Sequence, residues 1–333
     1  MSSQTVVIPN MLRSWPWSRH INPHYTVCKE ESSAWCETFK AFDAKAQKAF
    51  DLCDFNLLAS LAYPLLNKDG CRVACDLMNL FFMIDEHSDV STTEKVQEQA
   101  NIVMDAIRNP CTARPADEWI GGEMARQFWL NAIRTVTPLA QRRFVDTFQL
   151  YMNAVVQEAA DRNSNYVRTV DSYLKLRRDT AAAMPCFAIC EMHMNIPDEI
   201  ITHPTVVHLT LLCADAITVA NDVYSYNVEQ AMGNDGHNLV TVVMKEYQMS
   251  IQEAMNWIGD MHDKMVDEFL ETWQTFPTFG GPVDREIRTY IDGMANWVLA
   301  NDCWSFESER YFGKKGAEIM RKRTVHLLPK KSF

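Results

Sequence analysis

The sequence of 333 residues is long enough for one large domain or two ordinary ones, and with 47% hydrophobic residues and 11 glycines it can bury a sizeable core. A formal net charge of −11 argues against nucleic acid and anionic membrane surfaces as partners, although locally held metal ions would still let such a protein bind an anionic ligand. The ten cysteines form no CxxC pair and no Cys/His run with zinc spacing, which predicts reduced, buried thiols in a cytoplasmic protein.

Taken in order, residues 1–28 read as an irregular segment: Pro9, Pro16 and Pro23 preclude a long helix, and Trp15 and Trp17 offer anchors onto the body. No basic stretch followed by an apolar run opens the chain, so no secretory signal is expected. Helical periodicity then dominates. It predicts helices near 32–42, 44–64, 71–88, 93–108, 117–135, 139–163, 169–192, 198–229, 250–276 and 282–303, separated by Pro, Gly and Asn breakers. The most apolar stretch, Val206 to Ala220, contains His208 and Asp215 and reads as a buried helix rather than a membrane span. Without sustained strand alternation, repeats or a composition break, the expectation is a single all-α domain over 1–333, with residues 305–333 a C-terminal loop and tail.

Three constellations could carry chemistry. Asp85-Glu86-His87-Ser88-Asp89 closes a helix whose preceding turns are almost wholly apolar, with Asp85 and Asp89 one turn apart. Acids at a helix C-terminus oppose the macrodipole, which a bound cation would offset; a solvated acidic helix end fits the same residues. Arg177-Arg178-Asp179 precedes Pro185, which should kink its helix and free a carbonyl near Ala181 or Ala182. Adjacent arginines point about 100° apart, so at most one enters a pocket. Asn221, Ser225 and Glu229 recur every fourth residue and share one face of a helix, presenting three hard oxygen donors of the kind Mg²⁺ takes. A polar helix end leaving the core has the same spacing. Near the C-terminus, Trp304 is followed by Arg310-Tyr311, a cation beside a phenol that could close over an anion.

Together and in this order, the acidic motif, the paired arginines, Asn221…Ser225…Glu229 and Arg310-Tyr311 resemble the class I terpene synthases over nearly the whole chain. The early Trp15-Pro16-Trp17-Ser18-Arg19, the 75–90 stretch and the 221–244 stretch resemble sesquiterpene synthases of basidiomycete fungi, most of all the Δ6-protoilludene synthases. The resemblance implies a class I terpenoid synthase-type helical bundle around a central cavity and an Mg²⁺-dependent cyclase acting on farnesyl diphosphate. Three Mg²⁺ ions would be held by Asp85, Asn221, Ser225 and Glu229, with Asp89 behind them; Arg178, Arg310 and Tyr311 would bind the diphosphate. Phe81 and Trp304 are the candidate cavity wall, since aromatic faces suit the shielding of a carbocation. The implied course is 1,11-closure to Δ6-protoilludene, with 1,10-closure to a cadinane- or germacrene-type product as the alternative.

The sequence departs from the family pattern in places: Glu86 takes the second acidic position, Val228 stands where many relatives have Lys, and Ala182 occupies a frequent Gly position. A chain-elongating prenyltransferase would need a second aspartate-rich motif where Asn221 stands. A non-catalytic helical scaffold would need neither metal motif.

Overall fold

Many helix starts in this chain are set by short polar side chains that accept amide hydrogens otherwise without partners. Asp43, Asn67, Thr92, Thr137 and Thr169 each cap a helix in this way, and Ser250 and Glu253 form a reciprocal capping box. The computed structural model describes residues 4–331. In chain order these form β1 (Thr5–Val7), α1 (Tyr25–Thr38), α2 (Ala44–Leu52), α3 (Phe55–Ala62), α4 (Lys68–Ser88), α5 (Thr93–Arg108), α6 (Gly121–Ala132) and α7 (Pro138–Asn163). Then follow α8 (Val170–Thr180), α9 (Ala183–Cys190), α10 (Asp198–Ile201), α11 (Pro204–Met232), α12 (Leu239–Tyr247), α13 (Ile251–Gln274), α14 (Val283–Glu307), α15 (Gly316–Lys322) and β2 (Thr324–His326).

The architecture is all-α around the central helix α11, against which α13 and α14 pack most extensively and α8, α9 and α12 also pack. α11 is apolar and long enough to cross a membrane by composition, but 72% of its apolar window is buried inside the protein, as befits a core helix. All ten cysteines are free thiols, and nine are buried.

Several boundaries differ from the sequence expectation. The expected helix 44–64 is broken at Cys53–Asp54, where Asp54 takes a left-handed conformation (φ 44°) and caps α3. The break is held from outside: the Trp304 indole N–H donates to the carbonyls of Cys53 (2.8 Å) and Asp54 (3.1 Å). The expected kink in 169–192 is a full break at Ala182 (φ 55°), with Pro185 in the first turn of α9 where its missing N–H costs nothing.

The two ends of the chain are also more regular than expected. Within residues 1–28, β1 pairs antiparallel with β2 (Thr5 opposite His326), and α1 already begins at Tyr25. Trp15 is buried, and its indole N–H donates to the Ala295 carbonyl. Within 305–333, α14 runs on to Glu307, and a short 3-10 turn, α15 and β2 follow.

Candidate active site

The helices enclose a cavity of about 970 Å³ lined by residues from α3, α4, α7, α8, α9, α11 and α14. Nine of the ten expected site residues line it: Phe81, Asp85, Asp89, Asn221, Ser225, Glu229, Trp304, Arg310 and Tyr311. Arg178 does not.

The row on α11 is held by a dense polar network. Asn221 accepts from the Arg177 guanidinium (3.0 Å) and donates to the Tyr311 hydroxyl (2.9 Å), so one amide joins α8 to the C-terminal loop. Beside it Asp222, 1% exposed, accepts from the Tyr173 hydroxyl (2.5 Å), Arg177 Nε (3.1 Å) and the Leu239 amide (2.9 Å). Asn238, fully buried after α11, donates to Glu229 (2.9 Å) and the Asp222 carbonyl (2.9 Å), with Ser225 Oγ at 3.3 Å.

The expectation that Arg178 faces the site is corrected by the phase of α8. Arg177 shares a face with the buried Val170 and Tyr173 and therefore turns inward. Arg178 forms a two-pronged ion pair with Asp215 on α11 (2.7 Å at both prongs), away from the cavity lining.

Arg310 connects the C-terminal loop to the acidic end of α4. It donates to Glu86 at 2.6 Å and lies 3.7 Å from Asp85, with its guanidinium over the rings of Phe82 (5.6 Å) and Phe55 (5.8 Å). Glu86 thus serves as a cation's partner. The inner wall is aromatic: Phe81 stacks on Phe148 and meets Tyr151 edge-on, while Trp304 packs on Phe82 and Tyr311. At the α8–α9 break, the Ala182 carbonyl accepts from the Cys186 amide (3.3 Å), whereas Ala181 lies four residues before Pro185, which has no N–H to offer.

Four carboxylates face one another across this end of the cavity. Burial, with repulsion from Asp89 second, pushes Asp85 up to about 8. Burial followed by repulsion from Glu158 pushes Asp89 up to about 7, and burial likewise raises Glu158 and Glu229 to about 7. Asp85 and Asp89 keep 49% and 43% of their side-chain surface open, so water in the cavity offsets part of this. The excess negative charge is the condition under which cations bind.

The donors are all hard oxygens, which suits Mg²⁺ over softer metals. Among the described residues no three His, Cys, Asp or Glu side chains form a metal cage by themselves. That sparseness fits an ion that takes few protein oxygens and completes its shell with ligand phosphate and water.

Sequence reasoning missed Arg177, Tyr173, Asp222, Glu158 and Asn238. The α8 phase carried a signal for Arg177, and Asp222 adjoins Asn221. Glu158 and Asn238 are brought in only by tertiary packing.

Residues 76–268 match the family model described as terpene synthase family 2, C-terminal metal binding. A Delta(6)-protoilludene synthase of Hypholoma sublateritium is 56% identical over 326 residues, covering 98% of this chain and 96% of that protein. A Delta(6)-protoilludene synthase of Armillaria gallica is 53% identical, covering 98% and 95%. Among solved structures, α-eudesmol synthase superposes with a TM-score of 0.80 over 89% of this chain and 98% of that one, at 19% identity, a likeness of fold.

Proposed function

The chain belongs to the terpene synthase family, and on that premise we propose that it is a sesquiterpene cyclase converting farnesyl diphosphate to Δ6-protoilludene through 1,11-closure. The observation that carries the chemistry is the division of one cavity into an end rich in carboxylates and arginines and an aromatic interior. The product assignment is supported by 53–56% identity to two Delta(6)-protoilludene synthases over almost the full length of each chain.

The family binds a divalent metal, typically Mg²⁺. We take the number to be three, held by Asp85, Asn221, Ser225 and Glu229, with Asp89 and Glu158 supplying further negative charge. Bound there, the ions supply Lewis-acid stabilisation of the departing diphosphate.

The chain's own residues do the rest. Arg177 and Arg310 present fixed N–H donors for diphosphate oxygens, and the Tyr311 hydroxyl, oriented by Asn221, adds another. Arg310 is ion-paired with Glu86 and faces Asp85, so diphosphate binding would exchange those partners and draw the C-terminal loop onto the ligand. Phe81, Phe82 and Trp304 shield the cation from water and present π-faces to it. The cytoplasm remains the expected location.

The test is incubation of the purified protein with farnesyl diphosphate, with and without Mg²⁺, and gas chromatography–mass spectrometry of the hydrocarbons. A Mg²⁺-dependent tricyclic C15 product matching Δ6-protoilludene is expected. A cadinane- or germacrene-type product would overturn the 1,11-closure while keeping the cyclase. No turnover of any prenyl diphosphate by folded protein would overturn the whole reading.

A further inference from the structure

One polar side chain in the apolar part of the cavity takes no part in holding diphosphate or metal. Asn301 lies on α14, one turn before Trp304 and on the same face. It is 4% exposed. Its Nδ2 donates to the Ile217 carbonyl on α11 at 3.2 Å, which fixes the amide plane and turns Oδ1 the other way. That oxygen accepts no hydrogen bond from the protein, yet it is not sealed among protein atoms: it opens onto the cavity.

Its neighbours sharpen the contrast. The Thr218 hydroxyl is spent on the Ala214 carbonyl. The Tyr151 hydroxyl also lacks a protein partner, but its O–H rotates and can offer either a proton or a lone pair. Among the side chains of this corner Asn301 presents a fixed oxygen that can only accept; the other such acceptor in the lining is a backbone one, the Ala181 carbonyl that Pro185 leaves without its helical donor.

An acceptor left without a partner in an apolar pocket is costly. A farnesyl chain has no donor to satisfy it. What the chain does acquire, once diphosphate has left, is positive charge that migrates through its carbons. A carbonyl dipole locked with its negative end toward that path stabilises some cationic carbons more than others, and in a water-poor cavity such a difference is large.

We infer that Asn301 is a specificity-determining residue of the cyclisation, its amide oxygen stabilising positive charge where the substrate passes the α11–α14 corner. No bond to Asn301 forms or breaks. This rests on the cyclase reading above, and it assigns to one residue the selection among competing ring closures.

The test measures diphosphate release and the hydrocarbon product ratio of the full chain with farnesyl diphosphate and Mg²⁺, alongside melting temperature. Asn301→Leu should keep diphosphate release within about tenfold of wild type while the ratio of main product to side products falls about tenfold, corresponding to ~1.4 kcal/mol between competing transition states. Asn301→Asp is isosteric and, when neutral, offers the same donor and acceptor, so it should restore the wild-type ratio. If Asn301→Leu does not fold, Asn301→Ala is the second variant, with the same expected shift.

An unchanged product ratio in a folded Asn301→Leu or Asn301→Ala protein overturns the inference. So does a loss of turnover that only tracks a lowered melting temperature, since that is the signature of a mere α11–α14 lock. A wild type silent with farnesyl diphosphate overturns the cyclase reading and this inference with it.

Discussion

Asn238 and Glu229 are joined by a 2.9 Å hydrogen bond between a fully buried amide and the last carboxylate of the α11 row. The same amide group reaches the Asp222 carbonyl and Ser225 Oγ, and its oxygen caps α12 by accepting from the Val240 amide. Residues that hold metal-facing ligands in place often matter nearly as much as the ligands themselves. Asn238→Ala should therefore lower kcat/KM by about 10–100-fold and raise the Mg²⁺ concentration needed for half-maximal activity. Loss of the cap and of buried partners should also cost about 1–3 kcal/mol of stability. Full activity at ordinary Mg²⁺ would show that Glu229 is positioned without it.

Arg177 and Arg178 are neighbours in sequence with opposite assignments, so substituting each separates site from scaffold. Arg177→Ala removes a buried donor from Asn221 and Asp222 and should reduce kcat/KM by at least about 100-fold. Arg178→Ala should leave kcat/KM within about threefold while lowering stability by roughly 1–2 kcal/mol, because the nearly buried Asp215 loses its partner but Arg178 itself is a third exposed. The reverse pattern in steady-state kinetics would return Arg178 to the diphosphate.

The contrast between those two arginines shows what the sequence could convey. Spacing alone placed Asn221, Ser225 and Glu229 on one helix face, and α11 runs unbroken through all three. Spacing also identified the acidic end of α4 that faces them. The break at Asp54 was hidden because it is not at a glycine and is satisfied by an indole 250 residues away, whereas Pro185 announced a kink near Ala182 and only its extent, a full break at a left-handed alanine, was not legible. The β1–β2 ribbon was hidden because its three-residue strands lie at opposite ends of the chain. Helix α12 is absent from the expected helices: it opens with the β-branched-rich run Leu239-Val240-Thr241-Val242-Val243, and its helix is dictated by burial against α8, α11 and α13 rather than by propensity.

The carboxylates at the metal end predict an inverted pH response in metal-free protein. Burial pushes Glu158 and Glu229 up to about 7, and burial with mutual repulsion also raises the half-open Asp85 and Asp89, all above the ordinary carboxylate range near 4. Between those values the folded chain binds more protons than the unfolded one, so stability falls as pH rises through that window. In chelator, the melting temperature should be lower near pH 8 than near pH 6, and excess Mg²⁺ should restore it near pH 8 by neutralising the cluster. A melting temperature that is flat across this range, or indifferent to Mg²⁺ near pH 8, would contradict the crowding of charge described above.

His262 predicts the opposite slope on the acid side. It is fully buried on α13, and neither ring nitrogen has a hydrogen-bond partner. Burial lowers its pKa to about 4 from 6.5, with the Ala216 backbone a weak opposing influence. Here the unfolded chain binds the extra proton, so stability is complete above about 6.5 and is lost as pH falls toward about 4. The full loss is roughly 3 kcal/mol, at about 1.4 kcal/mol per pH unit. His262→Leu keeps an apolar side chain of similar bulk there and removes the proton. Its unfolding free energy should decline less than that of the wild type between about pH 7 and pH 5, by a difference near 2 kcal/mol. Chemical denaturation of both proteins at the two pH values decides it: equal declines would mean that His262 finds a proton partner in the folded state.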